Sequence, residues 1–327
     1  MLKNGRQSFR GNRKGGTLYD WGQLTLKVGI SITSAFGDKD FREGPRQMLA
    51  RSTAAAGAGL SSLFVGDHHA VGSPYYQNVP MIARMMAEWD HRDVGALFLL
   101  PMWHPVLAAE QIATLACITS GKFIMQCGLG YGEAAFRAMG TEQKHRAKAF
   151  EQSLEVMQAL WAGEKVSLDG HWKLENAQIS PTPPQNIEVW IGASADVAID
   201  RAARIGDVWL AGPGLVRAEA ERQMDVYQAA LTIHQKPGPE TIAIRRDIFV
   251  AASAGEADAL KKQIASRGYR GFNPEALVIG DAESVARQFA DLGSLGYTDV
   301  IVRNLHPDYQ QAILSTERLA QVIEILS

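Results

Sequence analysis

Short, almost wholly apolar runs recur along this 327-residue chain, each leading into a polar or glycine-rich tip and then into a stretch of helical spacing. They begin near Lys27, Ser61, Asp93, Lys122, Glu188, Asp207, Ala243 and Asp299, eight in all. Runs of this length without polar alternation read as strands covered on both faces, as in a parallel sheet. Between them the period changes. Pro45 fits the first turn of a helix carrying Met48 and Leu49, and Pro105 fits one carrying Ile112 and Leu115. Phe150, Leu154, Met157 and Trp161 form one apolar stripe. Ser194 is placed to cap a helix over 197–205, with Gly206 as its stop. Asp281–Leu295 and Thr316–Leu326 complete the helical set.

Eight strands alternating with helices at this length predict an α/β fold, a (β/α)8 TIM barrel. Two connections exceed the usual length, 163–184 after the fourth strand and 255–280 after the seventh, and insertions there are expected to form lids or substrate walls. Residues 27–327 are expected to be a single barrel domain. Residues 1–26 differ: Lys3, Arg6, Arg10, Arg13 and Lys14 face one acid, Asp20, and there is no apolar core of a secretory signal. A disordered leader is expected there.

Composition narrows the function. Lys+Arg 33 against Asp+Glu 35 leaves no basic surplus for nucleic acid, and no stretch approaches a membrane span. Cys117 and Cys127 lie in apolar surroundings and are expected to be reduced, buried thiols of a cytoplasmic protein.

Three places carry candidate chemistry. Asp67-His68-His69 stands at the C-terminal end of an apolar run, where such barrels place their reacting groups. Strand alternation lets only one of the two histidines enter the mouth. No His-x-His pair is present, so a metal-dependent barrel hydrolase is disfavoured and no metal site is expected. Gly128-Leu129-Gly130-Tyr131-Gly132 lacks the third glycine of a dinucleotide fingerprint, because position 133 is Glu; its glycines suit backbone approaching a flat ligand or a phosphate. His145, Arg146 and Lys148 open a helix, where cations oppose the dipole and a bound anion offsets the cost. Gly192-Ala193-Ser194-Ala195 offers a second helix start with free N–H groups. Trp103, Tyr75, Tyr76, Trp209 and Phe272 are candidates for an aromatic pocket, although aromatics at such positions more often belong to the core.

Taken in order, four segments resemble the bacterial luciferase-like monooxygenases, a family that also includes deazaflavin-dependent oxidoreductases. They are Asp67-His68-His69 with Ser73-Pro74-Tyr75, Val94–Pro101 with His104-Pro105, Gly121–Gly130 with Phe136–Gly140, and Val189–Ser194. The resemblance spans about Lys27 to Leu305. It implies a catalytic His68 with Asp67 as its acidic neighbour, and a cis peptide at Ala96–Leu97 behind the cofactor ring. It also implies cofactor contacts at Gly128, Gly130, Arg146, Gly192, Ala193, Ser194 and Ala195. The cofactor it implies is reduced FMN from a separate flavin reductase, used with O2 on a small organic substrate, in a homodimer. The alternatives are hydride transfer with an 8-hydroxy-5-deazaflavin coenzyme, or a non-catalytic flavin-binding barrel. Two positions depart from the luciferases: Leu129 replaces an arginine after the fourth strand, and Asp67 stands where they have Glu.

Overall fold

The computed structural model describes residues 26–37 and 40–327. The leader expected at the N-terminus lies outside the described residues, apart from Leu26. The strands are β1 (Lys27–Ile32), β2 (Ser62–Val65), β3 (Asp93–Phe98), β4 (Phe123–Cys127), β5 (Val166–Asp169), β6 (Lys173–Ala177), β7 (Glu188–Gly192), β8 (Val208–Ala211), β9 (Ala243–Val250), β10 (Val278–Gly280) and β11 (Asp299–Asn304). The helices are α1 (Glu43–Gly57), α2 (Asn78–Met86), α3 (Pro105–Ile118), α4 (Glu133–Ala138), α5 (Arg146–Trp161), α6 (Asp196–Ile205), α7 (Arg217–Ile233), α8 (Ala254–Arg267), α9 (Ala282–Ser294), α10 (Tyr309–Glu317) and α11 (Leu319–Leu326).

Eight parallel strands close in the order β1-β2-β3-β4-β7-β8-β9-β11, with β11 pairing back to β1. They are the eight runs the sequence predicts, and the fold is a (β/α)8 barrel. Because every strand is parallel, all C-terminal ends share one face, which holds the site. Along each strand side chains alternate. One set, with Phe64, Ile124, Trp190, Leu210, Ala243 and Ile301, fills the barrel's lower interior. The other set, including Leu63, Phe123, Val189, Trp209, Ile244 and Val300, packs outward against the helices. The strands are apolar throughout because both faces are covered.

Both long connections depart from plain loops. The first forms the β5–β6 antiparallel hairpin. Its tip is held on the outer flank by α5: Trp172 Nε1 donates to Ser153 Oγ (2.9 Å), and the His171 N–H donates to Gln152 Oε1 (3.1 Å). The second contains α8 and the short strand β10, which pairs in parallel alongside the C-terminal end of β9. The segment around Phe136 is the helix α4, and the C-terminal segment breaks at Arg318 into α10 and α11.

Two local expectations are corrected, and among the aromatic candidates Trp209 follows the core reading. Helix α6 starts after Ala195, which provides no side-chain cap; Ser194 sits one residue too early, against Gly212. Cys117 is exposed rather than buried, because α3 is apolar beyond its packed face and position 117 falls on the outer side; Cys127 is buried, and both thiols are free. Trp209 lies in the core beside Tyr227 and Tyr297, with its Nε1 donating to Ala193 O (3.0 Å), so it lines no pocket.

Candidate active site

Strand β2 stops at Val65, so Gly66 to His69 form a turn and strict strand alternation no longer governs them. Asp67 folds back into the protein and is buried. Its Oδ2 accepts from the Leu99 N–H and from Trp103 Nε1, both at 2.8 Å. Its Oδ1 faces His69 Nε2 at 3.2 Å, without hydrogen-bond alignment. One carboxylate thus ties the end of β2 to the turn after β3. His69 is buried edge-on to Trp103, with ring centroids 5.4 Å apart. His68 takes the other side of the turn. Its ring stacks on exposed Tyr131 at 5.7 Å and meets Tyr75 edge-on at 5.6 Å. Asp67 is therefore not a partner of His68. Two successive residues in this turn point apart, while residues two apart point together, so the acid that sequence adjacency assigned to His68 serves His69.

Tyr75 reaches the mouth from the loop before α2. The loop is anchored by Tyr76 N–H donating to Ser34 O (2.9 Å) and by a bridge between Ala35 and Tyr75. The phenol lies over Gly66, where an added Cβ would stand 2.7 Å from its hydroxyl. Burial, followed by the Asp67 charge, pushes its pKa up to about 12, so it is a neutral donor at physiological pH. Tyr76 turns away, donating to Phe41 O at 2.7 Å.

On β3 the Ala96–Leu97 peptide is trans; among the described residues the cis bond is Ser180–Pro181. Residues 94–98 pair one-for-one with 123–127 in an unbroken parallel ladder, which leaves no bulge to house a cis bond costing about 3–4 kcal/mol. Ala96 packs outward in the helix layer, whereas Leu97 is opposite Gln126, whose Nε2 is buried without a protein partner. After β4, Gly130 has φ +71° and packs so tightly that a Cβ would sit 2.6 Å from Met102 Cε. Its carbonyl accepts from Arg146 Nη1 (3.2 Å). Arg146 is the first residue of α5, so the cation stands at the positive end of its own helix. Gly192 ends the neighbouring β7, and Ala193 N–H donates to Leu210 O. Helices α5 and α6 are joined by Glu151, which pairs with Arg201 (2.7 Å) and Arg204 (2.9 Å). The structure thus gathers Gly128, Gly130, Arg146, Gly192, Ala193, Ser194 and Ala195 on the β4–β7 side of the mouth, with Leu97 beside them and Ala96 behind.

Across the mouth stands a group the sequence reading missed. Arg245 and Asp247 of β9 share the inward face with Ala243, and Arg303 of β11 is in register with Asp247. Asp247 is fully buried; its Oδ2 accepts from Arg270 Nη1 (2.6 Å) and Tyr269 OH (2.9 Å), both from the second insertion. Burial lowers the Arg245 pKa; Asp247 opposes the shift, and Arg303 and Arg270 add to it. The signal lay in Ala243–Val250, where Arg245-Arg246-Asp247 interrupts a strand covered on both faces. Phe272 packs on the Arg270 guanidinium and over Gly214. Among the described residues, no group of three His, Cys, Asp or Glu is placed to hold a metal ion, and no helix is long and apolar enough to cross a membrane.

Comparison with known proteins now bears on this geometry. The family model described as luciferase-like monooxygenase matches residues 26–274. Among curated relatives, the F420-dependent glucose-6-phosphate dehydrogenase of Beutenbergia cavernae is 30% identical over 179 residues, which cover 52% of this chain and 53% of that protein. The enzyme of the same name from Gordonia bronchialis is 26% identical over 231 residues, 66% and 63% of the two chains. The chain thus spans about half to two thirds of the length of these relatives. Among solved structures, an F420-dependent secondary alcohol dehydrogenase holding an F420–acetone adduct superposes with a TM-score of 0.77 at 15% identity, covering 93% of this chain and 100% of that one. The FMN-bound oxygenating constituent of 3,6-diketocamphane monooxygenase from Pseudomonas putida gives 0.77 at 16%, covering 92% and 98%. At those identities the structures share the fold.

Proposed function

Because the chain belongs to the luciferase-like monooxygenase family, we propose that it is a deazaflavin-dependent oxidoreductase that moves a hydride between F420 and a small alcohol or carbonyl substrate. The observation that carries this reading is the level at which the likenesses occur. Relatives detectable in sequence, at 26–30% identity, are named as F420-dependent dehydrogenases, whereas the FMN-binding monooxygenase resembles the chain in fold alone. This favours the deazaflavin over the two-component reaction of reduced FMN with O2.

The residues present fit such a group. Gly128 and Gly192 leave a side of the mouth bare of side chains, and Gln126 Nε2 lies buried and unpartnered on β4, the strand that pairs with β3 and leads to Gly128. Leu97 would pack beside the ring, and Arg146 with the uncapped start of α6 would hold its phosphate. When bound, the deazaflavin supplies a hydride acceptor and donor that is slow to react with O2. The chain supplies the rest. An imidazole nitrogen of His68 takes the hydroxyl proton as an alcohol becomes a carbonyl, and returns it in the reverse direction. Tyr75, held as a neutral phenol, donates a hydrogen bond at the mouth. Asp67 and His69 lock the turn that presents His68.

Titration of the purified chain with F420, FMN and reduced FMN tests the assignment. F420 is expected to bind more tightly than FMN, and the reduced complex to persist in air. Tighter FMN binding with rapid reoxidation by O2 would return the two-component monooxygenase, with its separate reductase, to first place.

A further inference from the structure

A carboxamide buried in a barrel without a partner forfeits the hydrogen bonds that water would give it. Gln126 of β4 is in that position: it is 3% exposed, and its Nε2 is buried with no bond to the protein. Ile124, two residues earlier, belongs to the packed lower interior, so alternation turns Gln126 inward as well, one layer nearer the mouth. The side chains in register with it offer no free polar group. On β3 stands aliphatic Leu97, and on β7 stands Trp190, whose Nε1 already donates to Glu188 Oε1 at 2.9 Å. The Trp190 ring packs on Phe64 and closes the interior beneath. The next positions toward the mouth are Gly128 and Gly192, where an added Cβ would meet nothing closer than 3.7 Å and 3.5 Å. The amide thus lies at the floor of an opening that no side chain at either glycine fills.

We propose that Gln126 is the residue that reads the pyrimidinedione edge of the cofactor ring. That edge runs carbonyl, N3–H, carbonyl, so it presents acceptor, donor, acceptor. A carboxamide presents a donor beside an acceptor. Nε2 donates to a ring carbonyl while Oε1 accepts from N3–H, and the match holds on either side of N3. The ligand thereby closes a buried donor that the protein leaves open, and a single polar group fixes the orientation of an otherwise apolar ring. Selectivity follows, because a ring without the N3–H leaves the buried carboxamide only partly paired. The inference rests on the proposed function in taking a flavin-like ring as the occupant. It holds for either ring, since flavin and deazaflavin share this edge and differ at position 5 and on the benzenoid side.

The test measures equilibrium binding to the full chain, with no turnover involved. F420 and FMN are each compared with their N3-methyl derivatives by calorimetric titration. In the wild type each N3-methyl derivative should bind about tenfold more weakly than its parent, because the methyl group replaces the hydrogen that Oε1 accepts. Gln126→Met keeps the length of the side chain and removes both polar atoms. It should weaken F420 and FMN by a similar factor of about ten and erase the preference for parent over methyl derivative. Its melting temperature without ligand should equal or exceed that of the wild type, since it removes an unpartnered buried donor. A glutamine with a merely structural role would give a lower melting temperature and an unchanged preference. If the Met variant does not fold, the wild-type comparison of parent and methyl derivative gives the answer by itself. The inference is overturned by a wild type that binds parent and derivative equally, by a Met variant that keeps the preference, or by a variant weakened toward F420 alone, which would move Gln126 to the hydroxyl-bearing edge of the deazaflavin. FMN binding more tightly than F420 would defeat the proposed function and leave the N3-methyl comparison to be read on its own.

Discussion

At the scale of single residues, the two adjacent histidines take opposite sides of one turn, and the proposed function assigns them different roles. His68→Ala should keep cofactor affinity and melting temperature near wild type while turnover falls by roughly 10²–10⁴-fold. His69→Ala should act through stability, because its ring is buried between Asp67 and Trp103. Asp67→Ala should be costlier still, orphaning the Leu99 N–H and the Trp103 indole N–H at about 1–3 kcal/mol each. Parallel measurement of turnover, cofactor affinity and thermal unfolding separates these outcomes; activity lost in His69→Ala but kept in His68→Ala would invert the assignment. Arg146 has a different signature. Arg146→Ala should weaken FMN by about 1.5–3 kcal/mol and riboflavin, which lacks the phosphate, far less. Equal losses for both ligands would remove Arg146 from the phosphate site.

At the scale of elements, β3 shows why a strand in this barrel needs a small residue. A Cβ on Gly95 would run into the Ile124 carbonyl of β4 and the ring of Phe64. Neither gives way easily, one being backbone and the other a fully buried ring. Gly95→Ala is expected to cost about 1–3 kcal/mol, read as a lowered denaturant midpoint with an unchanged slope. Element existence was legible because each apolar run has two covered faces and each helix carries a stripe. Element ends were less so. Ser194 has the chemistry of a cap, but the chain turns one residue later, where Gly212 gives the serine room. The hairpin β5–β6 escaped notice because its strands pair only with each other, on the outer flank, and carry no buried run.

At the scale of the whole molecule, packing changes the titration of the chain. Burial raises Tyr75 and Tyr227 to about 12, and lifts Tyr269 and Tyr297 further. A raised folded-state pKa means the native protein keeps phenolic protons that the unfolded chain releases. The stabilising contribution is complete below the ordinary value of about 10 and is lost as pH rises through about 12. Four of the eight tyrosines should therefore stay protonated at pH about 11 and ionise only together with alkaline unfolding. Phenolate absorbance and circular dichroism recorded on one sample check this; early ionisation of all tyrosines with the fold intact would contradict it.

The sequence by itself determined the barrel, because eight doubly covered strands write themselves as apolar runs and local hydrophobic period survives any tertiary context. It also placed Asp67, His68, the glycine turn and Arg146 at strand or helix ends that parallel closure carries to one face. What only the tertiary structure decided was partnership. Asp67 belongs to His69 and to the turn after β3, because a turn reorients side chains that a strand would alternate. The Ala96–Leu97 peptide is trans, because the ladder with β4 is unbroken. Arg245 and Arg303, 58 positions apart in sequence (303 against 245), become neighbours only when β11 closes against β9. Charge pairing across a closing barrel depends on which strands meet and which rivals claim the carboxylate, and no local pattern along the chain records either.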